Sequence, residues 1–415
     1  MDNRVKIIRG GLLIDGRSPS PIENSVITVD GERITSVGVL GEVDTPSGEV
    51  IDAKGKVVMP GLIDSHVHIT ISKILPVGPR REALQHLSLT TIEAENRLQR
   101  LLEAGFTTIL DCGALEHIDL ALRYAIEKRM ITGPRLLCCG KAITITGGHA
   151  DSYFLPPLCT PTPYMWGRVC DGVDEVRKGV REEMRAGVDW LKLMHAGGGS
   201  LERAAGPPQL AVEEIRAACE EAHRVGLKVC VHAQGNRSIK DSVLGGVDSV
   251  DHGYEMDEEA AEMMRKNGVV HKMTSMAKGY LAEQKTSKDR ADFPEVVLKK
   301  AGAFPYNLKK RALLLSLRNG VKVVAASDAE GDDNGVINSM EPAHWVYAGV
   351  APMEALMAMT RRAAELLGVD AGSIETGKLA DILIIDGNPL ESIEVLQDKS
   401  RIKMVMKEGR IEVKR

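Results

Sequence analysis

Between residues 57 and 326 the chain repeats one pattern, a short apolar β-rich run followed by a segment of helical period, and that alternation admits few folds. The runs fall at 57–63, 107–111, 135–139, 190–194, 228–231, 249–252, 269–271 and 322–326. Helical segments lie between them. In 210–225, Ile215, Cys219 and Ala222 recur at spacings of four and three, while Glu213, Glu214, Glu220 and Glu221 take the other faces. Strands that alternate with helices make parallel βαβ units, and eight such units are the arithmetic of an α/β fold of the (β/α)8, or TIM, barrel type.

The two ends differ from this middle. Val5-Lys-Ile-Ile, Gly11-Leu-Leu-Ile-Asp, Ser25-Val-Ile-Thr-Val and Ile34-Thr-Ser-Val are short β-rich runs separated by Gly, Pro, Asn and Asp, as antiparallel strands with tight turns require. Asp381-Ile-Leu-Ile-Ile-Asp, Ile402-Lys-Met-Val-Met and Arg410-Ile-Glu-Val repeat the pattern at the other end. Neither end has enough strands for a stable sheet of its own. The expected organisation is one small β-sandwich assembled from residues 1–55 and 375–415, with the barrel, 56–374, inserted between its halves.

In a parallel barrel the reactive groups stand at the C-terminal ends of strands, where all eight loops open on one face. Reactive residue types gather there in this chain: His66 and His68 at the end of the first run, Lys192 in the fourth, His232 after the fifth, His252 at the end of the sixth and Asp328 after the eighth. Residues two apart on a strand point to the same side, so the His66 and His68 rings can reach one ion. Neutral imidazole is the commonest protein ligand for metals and suits zinc, iron or nickel. Four of the chain's 11 histidines fall at these few places, more than scatter alone explains.

Composition excludes several classes of function. A net charge of -5 and only 14 aromatic side chains in 415 residues argue against a nucleic-acid partner. The 7 cysteines, among them the adjacent pair Cys138 and Cys139, form no CxxC or evenly spaced framework, as suits a reducing cytosol. No basic start followed by an apolar run opens the sequence, and nowhere does an uninterrupted apolar run reach membrane-spanning length. The expected location is cytoplasmic, with no membrane partner.

Pro60-Gly-Leu-Ile-Asp-Ser-His-Val-His68, Val231-His-Ala233, Asp251-His-Gly253, Ser327-Asp328 and Gly377-Lys-Leu-Ala-Asp-Ile-Leu-Ile-Ile-Asp386, in this order over nearly the whole chain, resemble the amidohydrolase superfamily. Asp189-Trp-Leu-Lys-Leu-Met194 and Thr146-Gly-Gly-His149 are similar to its binuclear prolidase-type branch, the Xaa-Pro and Xaa-Arg dipeptidases and N-acyl amino acid hydrolases. The resemblance implies two divalent ions, zinc foremost, bridged by an N-carboxylated Lys192. His66, His68 and Asp328 would hold the more buried ion, and His232 and His252 the other. It implies further that the substrate is a small-molecule amide, that His149 binds it near the scissile bond, and that the protein forms an even-numbered homo-oligomer. Where dipeptidases of this branch commonly carry a tyrosine two residues after the strand-5 histidine, this chain has Gln234, whose amide can still donate to a substrate carboxylate.

An ammonium has no lone pair and repels a cation, so the lysine needs an account. Carboxylation turns Lys192 into an anion with one oxygen for each ion, and with Asp328 and a bridging hydroxide it neutralises most of the charge of two dications. Such a pair lowers the pKa of the bridging water to ~7 and polarises the scissile carbonyl. Asp328 can then take the attacking proton and return it to the leaving amine. A mononuclear deaminase would not need Lys192, and a non-catalytic barrel relative would not keep every ligand position. His149 is alternatively an exposed loop residue. His195 and His271 are expected to be supporting or merely structural groups, and His86, His117, His223 and His344 lie in helical stretches without an assigned role. The segment 153–166 carries Tyr153, Phe154, Tyr164 and Trp166 among four prolines and suits either a substrate pocket or an oligomer contact. The acidic run from Glu330 to Asp333 suits basic substrate side chains as a rival preference.

Overall fold

The structure, a computed structural model, describes residues 5–43, 46–71, 87–151, 166–197, 207–284, 304–331 and 334–415, with the backbone alone for 281–284. Its centre is a parallel barrel of eight strands: β1 (Leu62–His68), β2 (Phe106–Asp111), β3 (Arg135–Cys138), β4 (Trp190–Met194), β5 (Lys228–Ala233), β6 (Ser249–His252), β7 (Val270–Thr274) and β8 (Val323–Ala326). β1 to β3 pair in sequence, as do β4 to β8. Between β3 and β4 the circuit is carried by the Asp189 amide, which donates to the Cys138 carbonyl at 2.8 Å, and by the short strand Ala142–Thr144, whose Ile143 pairs with Leu193. It closes where Ala329 and Glu330 pair with Val67 and His68.

Side-chain parity sorts the strands into an interior and a helix-facing layer. Leu191, Leu193, Val229, Val231 and Val250 pack outward with Ile215, Ala218, Cys219 and Ala222 of the helix Val212–His223. That helix is the one expected from its spacing, trimmed at both ends. Trp190, Lys192, Cys230 and His232 alternate with them and therefore face inward. Leu366 and Leu367, on the helix Arg361–Leu367, lie in one cluster with Ile63, Leu110, Trp190, Cys230 and Val324 at the opposite end of the barrel from the histidines.

The terminal residues form the β-sandwich domain, a sheet ordered Arg410–Lys414, Ile402–Lys407, Ile382–Ile385, Val57–Pro60, Lys6–Leu13, Ile22–Asp30 and Arg33–Val39, with Glu49–Asp52 also paired to Lys6–Leu13. Two expectations are corrected here. The run 57–63 is not one strand: Val57–Pro60 belongs to the terminal sheet, past the expected limit at 55, and only from Leu62 does the chain enter the barrel. Gly61 makes the crossing because a Cβ there would stand 2.1 Å from Thr107 Oγ1. The runs at Val5 and Gly11 are a single strand, with a register shift between Arg9 and Gly11.

The continuous apolar character of Ile382–Ile385 has a physical cause, since the strand is covered on both faces. Ile382 and Ile384 join Ile8, Ile27, Val58 and Met404 inside the sandwich. Leu383 and Ile385 join Leu62, Leu102, Phe106 and Ile402 against the barrel. Each such buried side chain contributes about 1.5–3 kcal/mol. Arg135 fastens the same seam, reaching Asp381 at 2.8 Å and Glu408 at 2.9 Å. Among the described residues no helix is long and apolar enough to cross a membrane.

Candidate functional site

At the C-terminal mouth of the barrel, His66 Nε2 stands 3.3 Å from His68 Nε2 and 3.4 Å from Asp328 Oδ1, and His68 Nε2 stands 3.6 Å from the same oxygen. Donors about 2.0–2.1 Å from a tetrahedral ion lie about 3.3–3.4 Å from one another, so these three atoms are spaced as ligands of one divalent ion. His252 continues the site, its ring centroid 5.2 Å from that of His66 and 4.3 Å from that of His232. Its Nε2 is buried with no hydrogen-bond partner among the described residues, a position that costs free energy unless something binds there. His149 lies 4.7 Å from His232, Trp166 lies 5.4 Å from His149, and His68 lies 5.8 Å from Trp166. Six rings thus form a closed circuit around the mouth.

Protonation favours metal binding at two of these rings. Burial pushes His68 down to about 4, assisted by the neighbouring His66, and burial also takes His252 well below the usual imidazole value. Neutral imidazole is the form that binds a metal. Burial alone would raise the Asp328 carboxyl, but Lys278 and the contact with His66 outweigh it and hold the group well below the carboxylate range. Ser275 donates to Asp328 Oδ2 at 2.9 Å and leaves Oδ1 for the histidine side.

Three residues at successive strand ends, His252, Ser275 and Asp328, have φ of +77°, +56° and +54°. Strand parity would send the His252 side chain outward with Val250. The left-handed backbone turns it into the mouth instead, a strain of about 1–3 kcal/mol that the surroundings must hold. They do so at several points. His271 Nε2 meets the His252 carbonyl at 2.9 Å, and Gly253 must lack a side chain because its Cβ would fall 2.6 Å from that same nitrogen. Thr274 Oγ1 contacts His252 Nδ1 at 2.6 Å, with Tyr254 OH 3.0 Å from the threonine oxygen. Glu341, pushed up to about 8 by burial, accepts from the Met276 and Ala277 amides and fixes the chain just after Ser275.

Beneath the histidines lies a charged floor to which the sequence reading gave no role beyond Lys192. Asp251, fully buried, is in contact with the Lys192 ammonium, with Lys272 Nζ at 3.3 Å and with His66 Nδ1 at 3.2 Å. Burial would raise the Asp251 carboxyl, yet Lys192 and Lys272 drive it far below its ordinary range. The Lys192 ammonium, which burial alone would weaken, is strengthened in turn by Asp251. Asp64 was equally missed. Its Oδ1 accepts from the His66 and Ser327 amides, both at 3.1 Å, and its Oδ2 from Asn338 at 2.8 Å, so one carboxylate ties β1 to the turn that carries Asp328. The available signal was one charged residue, Asp251 or Lys272, inside each of two short and almost wholly buried strands.

The other expected residues fall as follows. Lys192 is completely buried and lies below the ring circuit. Gln234 is buried at the end of β5, and its Oε1 has no hydrogen-bond partner among the described residues. His195 and His271 are structural: His195 Nδ1 accepts from the Leu210 amide at 3.1 Å, and His271 props His252. His117 pairs with Glu183 at 2.7 Å and His223 with Asp248 at 2.9 Å, while His344 packs among Tyr280, Tyr306 and Tyr347. Tyr153, Phe154, Tyr164, His86, Asp332 and Asp333 lie outside the described residues.

An α/β barrel whose mouth gathers imidazoles and a carboxylate at metal-ligand spacing, with a β-sandwich made from both termini, defines a metal-dependent hydrolase. The chain belongs to the amidohydrolase family, whose model matches residues 57–411. It is 28% identical to ochratoxinase from Aspergillus niger over 98% of this chain and 86% of that protein. Among solved structures, it resembles a prolidase complexed with N-methylphosphonate-L-proline (TM-score 0.88, 33% identity, 99% of this chain and 100% of that one). It is also similar to a Xaa-Pro dipeptidase with methionine bound in its active site (TM-score 0.87, 31% identity, 98% and 99%). The protein is an amidohydrolase enzyme similar to prolidases and ochratoxinase.

Proposed function

We propose that the enzyme hydrolyses the amide bond of N-acyl amino acids and dipeptides at two divalent ions, which we assign as Zn2+. His66, His68 and Asp328 would hold one ion and His232 and His252 the other, with N-carboxylated Lys192 as a ligand they would share. The observation that carries the assignment is the ring circuit with Asp328 at its rim and a buried lysine at its base. When bound, such a pair of ions would supply an activated water and polarise the scissile carbonyl. Asp328 accepts the proton of the attacking water and delivers it to the departing nitrogen, without which an amide leaves poorly. Ser275 keeps the carboxylate turned for both transfers.

Carboxylation asks Lys192 to leave Asp251, and Asp251 retains Lys272 and His66 when it does. His149 and Gln234 bind the substrate beside the ions, His149 at the scissile bond and Gln234 at the carboxylate. Trp166, edge-on to both His68 and His149, supports the pocket role for its end of the aromatic segment and a preference for an apolar or aromatic group beside the scissile bond. The relatives named prolidase, Xaa-Pro dipeptidase and ochratoxinase support a substrate of this size and polarity. The test is a screen of purified, zinc-loaded protein against N-acyl amino acids and dipeptides, scored by released amine. Release from several members is expected, and none from any member at full metal content overturns the proposal.

A further inference from the structure

We propose that Cys112, Cys139 and Cys230 form a third metal site, made of sulfur alone and selective for a thiophilic ion, in the barrel interior beneath the catalytic mouth. Their three sulfurs lie within 4.8 Å of one another, and all three residues are fully buried free thiols. They come from different places, one residue past β2, one past β3 and the middle of β5, so the barrel itself sets their spacing. Three thiolates about 2.3 Å from one ion stand about 4.0 Å apart in a trigonal plane. Closing the triad on an ion therefore takes movements below about 1 Å, within the reach of χ1 adjustment. Thiolate sets of this kind select soft or borderline ions over the hard ones that oxygen ligands prefer.

A second observation points to the same place. Lys272 Nζ is fully buried and makes no hydrogen bond among the described residues, its ionic contact being Asp251 at 3.3 Å. Its ammonium lies close enough to interact electrostatically with all three sulfurs. Binding a divalent ion forms three metal–sulfur bonds and releases three thiol protons to solvent. The product carries one net negative charge, and Lys272 is the buried cation that offsets it. Cys112 also belongs to a group with His66 and Asp251 whose ligand atoms lie within 4.8 Å, so an ion in the triad adjoins the floor of the histidine site while being held by a different chemistry.

The test uses the zinc-loaded holoenzyme with Cd2+ as the probe, supplied to the folded protein and, in a second preparation, during growth. The expected result is one cadmium per chain with an ultraviolet sulfur-to-cadmium charge-transfer band, and a shell of three sulfurs at the cadmium X-ray absorption edge. Cys170→Ala, remote from the triad, keeps both signals, whereas Cys139→Ala and Cys230→Ala each lose them. Absence of the band from wild-type protein by both routes overturns the proposal. So does a cadmium shell of nitrogen and oxygen only, which needs no variant to measure, or an undiminished band in both triad variants.

Discussion

Asp251→Asn tests the charged floor most directly, because it keeps shape and volume while removing the one anion shared by two buried ammonium groups and an imidazole. At 3.3 Å and an effective dielectric constant of ~20, the Lys272 contact alone has a gross Coulomb energy of about 5 kcal/mol. Asparagine retains a dipole toward the lysines and recovers part of it. Removing one partner of a buried pair costs about 3–5 kcal/mol, and that is the destabilisation expected for the metal-stripped variant, read from the urea midpoint at unchanged slope. A second readout is metal affinity. His66 loses the carboxylate at its Nδ1, and loss of such a partner weakens metal binding about 10–100-fold. Because the folded-state pKa of Asp251 is depressed, its contribution is present above the unfolded value of ~3.9 and disappears only as pH falls through the folded value. The gap between wild type and variant therefore stays flat from neutral pH down to about 5 and closes only in strong acid. A stability loss below about 1 kcal/mol together with unchanged metal affinity refutes the view that Asp251 organises the floor.

Four further outcomes are expected. Lys192→Ala loses at least one metal and nearly all turnover, with partial rescue by short carboxylic acids; full metal content and normal turnover remove the bridging role. Asp328→Asn lowers the turnover number by a factor of about 10²–10⁴, and near wild-type turnover at neutral pH rejects the proton-transfer role. Trp166→Ala lowers catalytic efficiency on acyl-Phe and acyl-Leu more than on acyl-Gly or acyl-Lys; an unchanged ranking with altered assembly assigns the segment to an interface. Glu183→Gln removes the negative charge from the hydrogen-bond partner that chiefly raises His117. The stabilisation lost, of order 1 kcal/mol or less, is largest below about pH 6.5 and vanishes as pH rises through the raised folded value, as paired urea midpoints at pH ~6 and ~9 would show.

How much of this was legible in the sequence depends on the kind of signal each residue leaves. The barrel was readable because eight buried parallel strands have to be apolar runs and their helices have to keep a 3.6-residue period. The histidines and Asp328 were readable because titratable groups at strand ends are conspicuous against that background. The division at Gly61 was not, because Val57–Pro60 is covered on both faces like a barrel strand and composition cannot tell the two environments apart. Parity also misleads at His252, which alternation places outside the barrel and which only a φ of +77° turns inward. Asp64, Asp251 and Lys272 act through partners 263, 59 and 21 residues away, namely Ser327, Lys192 and Asp251; a charge inside a β-run is visible locally, but the partner it takes is not.

The two buried lysines account for one another. A single lysine beneath the histidines would serve Asp251 well until it was carboxylated, when an anion would replace a cation and Asp251 would be left buried beside like charge. Lys272 would keep a cation beside Asp251 in both states, with His66 Nδ1 3.2 Å away. On the proposed carboxylation of Lys192, the Asp251 carboxylate would therefore not have to protonate or move. The same ammonium lies within electrostatic reach of the three thiols below, where it would oppose the negative charge that their ionisation would bring. Lys272, which lacks a hydrogen bond of its own, is positioned to balance charge on both sides of the floor, and that explains why a strand otherwise built for burial carries a lysine at its centre.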